Sequence, residues 1–152
     1  SDLKNYLIVG FDSLLIHWSG GESPYRIRLL DDDDNIVIEK NNIQQNNITL
    51  TDLVLPMGHY GLEVLGNSSS SYIALAIVES DKVPPIYNKI IASQASAKVK
   101  QRYAAMALAG QSQWRFQALQ LAERYGLTNL KQNILNGMVP DWDDATQSTI
   151  NK

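Results

Sequence analysis

At Pro84-Pro85 the hydrophobic period of this chain changes. Before that point apolar residues tend to alternate with polar ones; after it they recur every third or fourth position. Alternation suits a strand with one buried face, whereas the longer period suits a helix, so the two stretches demand different elements. Proline neither donates to a ladder nor continues a central strand, which makes the junction the natural end of a sheet. The organisation expected is a β unit over 1–83, a helical extension over 84–140 and a flexible polar tail over 141–152.

Charge divides at nearly the same place. Residues 1–80 hold eleven acids and four bases, a net −7, and residues 81–152 hold five acids and nine bases, a net +4. Two physically distinct halves follow. At 152 residues the chain can bury roughly two-thirds of its unfolded surface and needs no covalent staples. It has no cysteine, which excludes disulfides, thiolate catalysis and cysteine zinc sites. No apolar run approaches the roughly 20 residues that span a bilayer. The chain opens on Ser1 rather than Met, which reads as a cut or a junction within a longer protein.

Seven short strands are expected: Leu7–Val9, Leu14–Trp18, Tyr25–Leu30, Ile36–Glu39, Ile48–Leu50, Tyr60–Leu65 and Tyr72–Val78. Turn-forming runs separate them, at 19–24, 31–35, 41–47 and 67–71. Strands of this number and spacing point to an antiparallel sandwich. Trp18 ends an apolar strand and suits a plug between two sheets. Further on, Leu53, Pro56, Gly58 and Tyr60 stand in the order Leu, Pro, Gly, Tyr at a strand entrance. This segment resembles the corner of fibronectin type III domains, immunoglobulin-like sandwiches in which a tyrosine hydroxyl bonds back to upstream backbone. Trp18 stands where that family's second-strand Trp would. The resemblance covers roughly residues 5–80 and implies a fold and no particular activity. The short first strand and the helical extension depart from the family.

Beyond the prolines about three helices are expected. Ala95, Val99, Tyr103 and Met106 recur at i, i+4, i+8 and i+11 along the first, which Gly110 stops. Ser112 caps a second, carrying Trp114, Ala118, Leu121, Ala122 and Tyr125 and closed by Gly126; Thr128 caps a third, ended by Gly137. Residues 86–93 give no clean face. The Ala/Leu/Gly spacing at 104–126 resembles one tetratricopeptide-type hairpin, which cannot bury its own face. The strand half supplies that surface, or the native chain continues.

Catalytic equipment is sparse. His17 and His59 stand at strand edges beside aromatics and lack a third ligand at a recognisable spacing. There is no phosphate-cradling glycine loop, nucleophile elbow or zinc-binding helix motif, so a non-enzyme that needs no cofactor is expected. The run Asp31-Asp32-Asp33-Asp34 reads first as a hairpin turn and second as a weak, oxygen-only cation site. Asn47-Ile48-Thr49 and Asn67-Ser68-Ser69 match the glycosylation acceptor pattern.

What remains is surface. Lys98, Lys100 and Arg102, with Lys89, Arg115, Arg124 and Lys131, read as a solvated helix face docking on the acidic half, or as a cationic face toward an acidic partner. Trp114 and Phe116 are expected to divide, one packing inward and the other left as an exposed anchor. The function expected is protein–protein interaction or scaffolding within a larger protein; analogy with where such sandwiches occur suggests an extracytoplasmic part of a bacterial envelope protein. Carbohydrate binding through Tyr6, Trp18, Tyr25 or Tyr72 is an alternative. A weaker one is DNA binding through 121–136, whose Ala122 and Gly126 spacing resembles a helix-turn-helix, although a pI near 5.3 lacks the basic footprint of a DNA reader.

Overall fold

The computed structural model describes residues 5–137; the tail expected over 141–152 lies outside the described residues. Among the described residues the fold is mixed α/β, with seven strands in two sheets followed by four α-helices. The strands are β1 (Asn5–Ile8), β2 (Leu14–His17), β3 (Tyr25–Leu30), β4 (Ile36–Ile43), β5 (Asn47–Leu50), β6 (Gly58–Leu65) and β7 (Ser70–Val78). One sheet runs β1-β7-β6-β3-β4, with β1 parallel to β7 and its other pairs antiparallel; β2 and β5 form a second, antiparallel pair.

Alternation fixes which side chains enter the core. In β3, Tyr25, Ile27 and Leu29 are buried while Arg26 is exposed and Arg28 half-exposed. A register slipped by one residue would put both arginines inside, so the pattern specifies the pairing. Leu14, Ile16 and Leu50 of the small sheet join Ile27, Leu29, Leu62 and Leu75 of the large one in a single cluster, which also takes in Trp18 and Leu53. β4 runs past its expected end, through Asn41 and Asn42 to Ile43. Asn42 adopts φ 57°, one of the few side chains that tolerates the left-handed region, and the β3–β4 register shifts between Tyr25 and Ile27.

The helices are α1 (Pro85–Ile91), α2 (Ala97–Ala109), α3 (Arg115–Arg124) and α4 (Thr128–Gly137). Four stand where about three were expected, because the ambiguous stretch after Pro84 becomes α1. Pro85 lies at its start, where a missing N–H costs nothing. Ser96 begins α2 by accepting from the Val99 N–H. Ser112 does not cap α3; it opens a 3₁₀ turn that ends at Trp114, and α3 starts beyond it. Gly126 closes α3 at φ 67°: its N–H reaches the Glu123 carbonyl while Leu127 N–H reaches Ala122 at 2.9 Å, a Schellman-type ending that needs glycine.

The helical layer is fastened to the strands by α3. Phe116 enters the cluster shared by the two sheets, a burial that stabilises by about 1.5–3 kcal/mol. Gln117 Oε1 accepts from the Ile8 N–H at 2.6 Å. Gln120 makes a paired contact with β2, accepting from Leu15 N–H at 2.7 Å and donating to Leu15 C=O at 2.9 Å. β1 and β2 each have one strand neighbour, and these amides satisfy backbone groups on the other side. A second cluster joins Leu15 and Val83 to Ala105, Leu108, Trp114, Leu119 and Ile134.

Candidate functional site

Every side chain named for chemistry has a definite place, and the places are far from equivalent. Trp114 and Phe116 do not divide into anchor and plug: both are buried, at 4% and 3% exposure. The chain turns between the 3₁₀ segment and α3, so Trp114 stacks on Tyr6 at 5.3 Å between ring centres while Phe116 enters the strand core. Neither offers a binding surface.

At the corner, Tyr60 Oη donates to the Pro56 carbonyl at 2.7 Å. Leu53 is buried, and its N–H reaches the Asp12 carbonyl. The strand starting at Gly58 is thereby tied to the loop before it. Trp18 lies edge-on to Tyr25 at 5.1 Å, its Nε1 buried without a hydrogen-bond partner.

The acidic run is a turn organised by its first member. The Asp31 carboxylate accepts from the backbone N–H groups of Asp33 and Asn35 and from the Asn35 side chain. These bonds, the Asn35 backbone one foremost, hold it below the ordinary carboxylate range. Among the described residues no group of three or more His, Asp or Glu side chains is arranged to hold a metal ion. The run therefore lacks the convergent ligands that a cation site at Asp31, Asp32, Asp33 and Asp34 would require. His17 is partly buried; desolvation, and after it the charge of Lys131, lowers its pKa.

The aromatics divide as well. Trp18 and Tyr25 are buried and Tyr6 is half-buried, while Tyr72 is 56% exposed. A Cβ at Gly61 would come within 2.5 Å of the Tyr72 ring, so the glycine lets the ring lie close across β6. In the 121–136 segment, the Arg124 guanidinium sits 4.6 Å over the Phe11 ring and Lys131 pairs with Glu123 at 2.7 Å. The two cations needed for a DNA contact are thus held in contacts within the chain.

Exposed large apolar side chains are divided evenly between the strand half, with Val9, Ile36, Val37, Val54, Met57 and Tyr72, and the helical layer. Ile86, Ile91, Val99, Tyr103, Met106 and Tyr125 are all exposed large apolar side chains. A hollow of about 200 Å³ lies among α1, α2 and the end of α3, lined by Tyr87, Ile91, Ala104, Leu121, Tyr125 and Lys100 among others. Burial, and after it Tyr125, raises the Tyr87 pKa above the ordinary phenol value. A second hollow, of about 400 Å³, lies at the polar loop end of the strands beside Arg26, Asn41, Asn42 and Asn67. Neither hollow is lined by a carboxylate or an imidazole, the groups that most often move protons in catalysis.

Residues 84–137 carry seven basic side chains against Glu123 as their single acid. Arg124 and Lys131 are engaged as described, and Arg115 Nε donates to the last-turn carbonyl of Ala109. The side chains of Lys89, Lys98, Lys100 and Arg102 make no ion pair or hydrogen bond among the described residues. The latter three lie on α2. The spacing of Val99, Tyr103 and Met106 was legible in the sequence beside these cations, but not that this side of α2 faces water.

Comparison with protein-family models finds no match, and no curated protein matches the sequence. Among the described residues no helix is long and apolar enough to cross a membrane.

Proposed function

We propose that this chain is a non-catalytic protein-interaction module, a fibronectin type III-like sandwich whose helical layer carries the binding surface. The strand order, with β2-β5 apart from β1-β7-β6-β3-β4, and the Tyr60–Pro56 bond support the sandwich reading. The observation that carries the interaction reading is the hollow among α1, α2 and the α3 end, where Ile91 and Tyr125 lie beside the unengaged Lys100. Scattered apolar residues are ordinary on a surface, but apolar side chains gathered about a hollow suit a contact site. Tyr72 is the one exposed ring of the four aromatics considered for sugar stacking, so the glycan reading rests on a single platform.

The test is a crosslinked pull-down from the native source with three baits: the intact chain, a chain carrying Ile91→Asp with Tyr103→Asp, and one carrying Tyr72→Ala. A specific protein recovered with the first and third baits and lost with the second is the expected outcome. No specific protein, or equal recovery with all three, would sink the reading.

A further inference from the structure

α2 has two apolar sides, and only one is used. Ala104, Ala105 and Leu108 are buried in the helical core. Val99, Tyr103 and Met106 are 41%, 54% and 46% exposed. At about 100° per residue these three fall within an arc of about 60° on the opposite side of the helix. Their i, i+4, i+7 spacing is the seam that one helix offers another. Arg102 flanks that seam on one side and Lys100 on the other, and Lys98 lies beyond Arg102 at the start of the helix.

We propose that the outer face of α2 docks an acidic amphipathic helix supplied by a partner protein. The partner's apolar seam covers Val99, Tyr103 and Met106, and carboxylates on its two shoulders meet Lys98, Arg102 and Lys100. Charge selects this occupant. A second copy of the chain, laying α2 against α2, would set cations on both shoulders against cations, which is destabilising. An anionic membrane would also attract Lys and Arg, but it would meet a chain of net charge −3 whose first 80 residues carry −7. The seam also offers three side chains, little for insertion into lipid. Ala107, on the Lys100 side of the seam, is small enough to admit a neighbouring helix closely.

This inference rests on the interaction reading above. It is tested by fluorescence anisotropy with the full chain and a dye-labelled synthetic peptide of about three heptads, with Leu at a and d and Glu at e and g. A matched peptide carries Lys in place of Glu. The Glu peptide is expected to bind at least about tenfold more tightly than the Lys peptide. Tyr103→Ser with Met106→Ser should abolish binding, and Lys98→Glu with Lys100→Glu and Arg102→Glu should invert the preference. Lys98, Arg102, Tyr103 and Met106 are exposed and Lys100 is half-buried beside the hollow, and circular dichroism checks that each variant keeps its fold. Binding of neither peptide, or of both equally, would overturn the proposal. So would stronger retention on phosphatidylserine vesicles than on the Glu peptide, a dimer dissolved by the serine substitutions, or peptide binding that appears only when 138–152 is deleted. Failure here, with a pull-down partner still lost by the Ile91/Tyr103 variant, would remove the acidic helix and leave the interaction reading standing.

Discussion

Gln117 and Gln120 show how much a single side chain can settle. Both are polar, yet they are 1% and 5% exposed and lie in the middle of a helix whose other residues, Phe116, Ala118, Leu119, Leu121 and Ala122, are also buried. Five of the ten residues of α3, Arg115, Gln117, Gln120, Glu123 and Arg124, are polar, and Gln117, Gln120 and Arg124 share one stripe, so local pattern alone would turn the two glutamines toward water. Their partners were not readable, because Ile8 and Leu15 lie more than a hundred residues away along the chain. Replacing Gln120 with Leu keeps much of the volume but strands the N–H and C=O of Leu15. Urea denaturation is expected to show a loss of about 2–4 kcal/mol, against a change within about 0.5 kcal/mol for Gln132→Leu on the exposed face of α4.

At the scale of elements, the helix found by spacing is α2, although it starts at Ala97 and leaves Ala95 outside. Val99, Tyr103 and Met106 form the apolar stripe that the spacing picked out. The core instead took Ala104, Ala105 and Leu108, whose smaller alanines allow α2 to lie close to its neighbours. Periodicity finds apolar faces; when a helix has two, only the shape of the partner decides between them. The charge of Lys131 on α4 is felt at the end of β2. Burial first, and the Lys131 charge second, hold His17 below the ordinary imidazole range. The folded state therefore binds the proton less readily than the unfolded chain. His17 contributes its full stability above about pH 6.5 and loses it as pH falls below that value. Melting temperatures measured from pH 7.5 down to 5.5 should decline, and His17→Gln should flatten that decline; an unchanged slope would refute the assignment.

At the scale of the whole molecule, the strands and the helical layer share packing and hydrogen bonds. Phe116 completes the core between the sheets, and Gln117 and Gln120 satisfy backbone groups of β1 and β2. Ending the chain at Val83 would open a cavity the size of a phenyl ring and leave those groups unpaired. Such a chain is expected to bind a hydrophobic dye and lose its cooperative urea transition; a sharp transition with no dye binding would show that the strands fold alone. The sequence by itself determined the elements: seven alternating strands, helices after Pro84-Pro85, the glycine ending of α3 and the cations of α2 all follow from local period, turn chemistry and composition. Tertiary structure alone decided which faces those elements hide. Burial is a property of pairs of surfaces distant in sequence, so only packing could send Trp114 and Phe116 inward and leave Val99, Tyr103 and Met106 facing water.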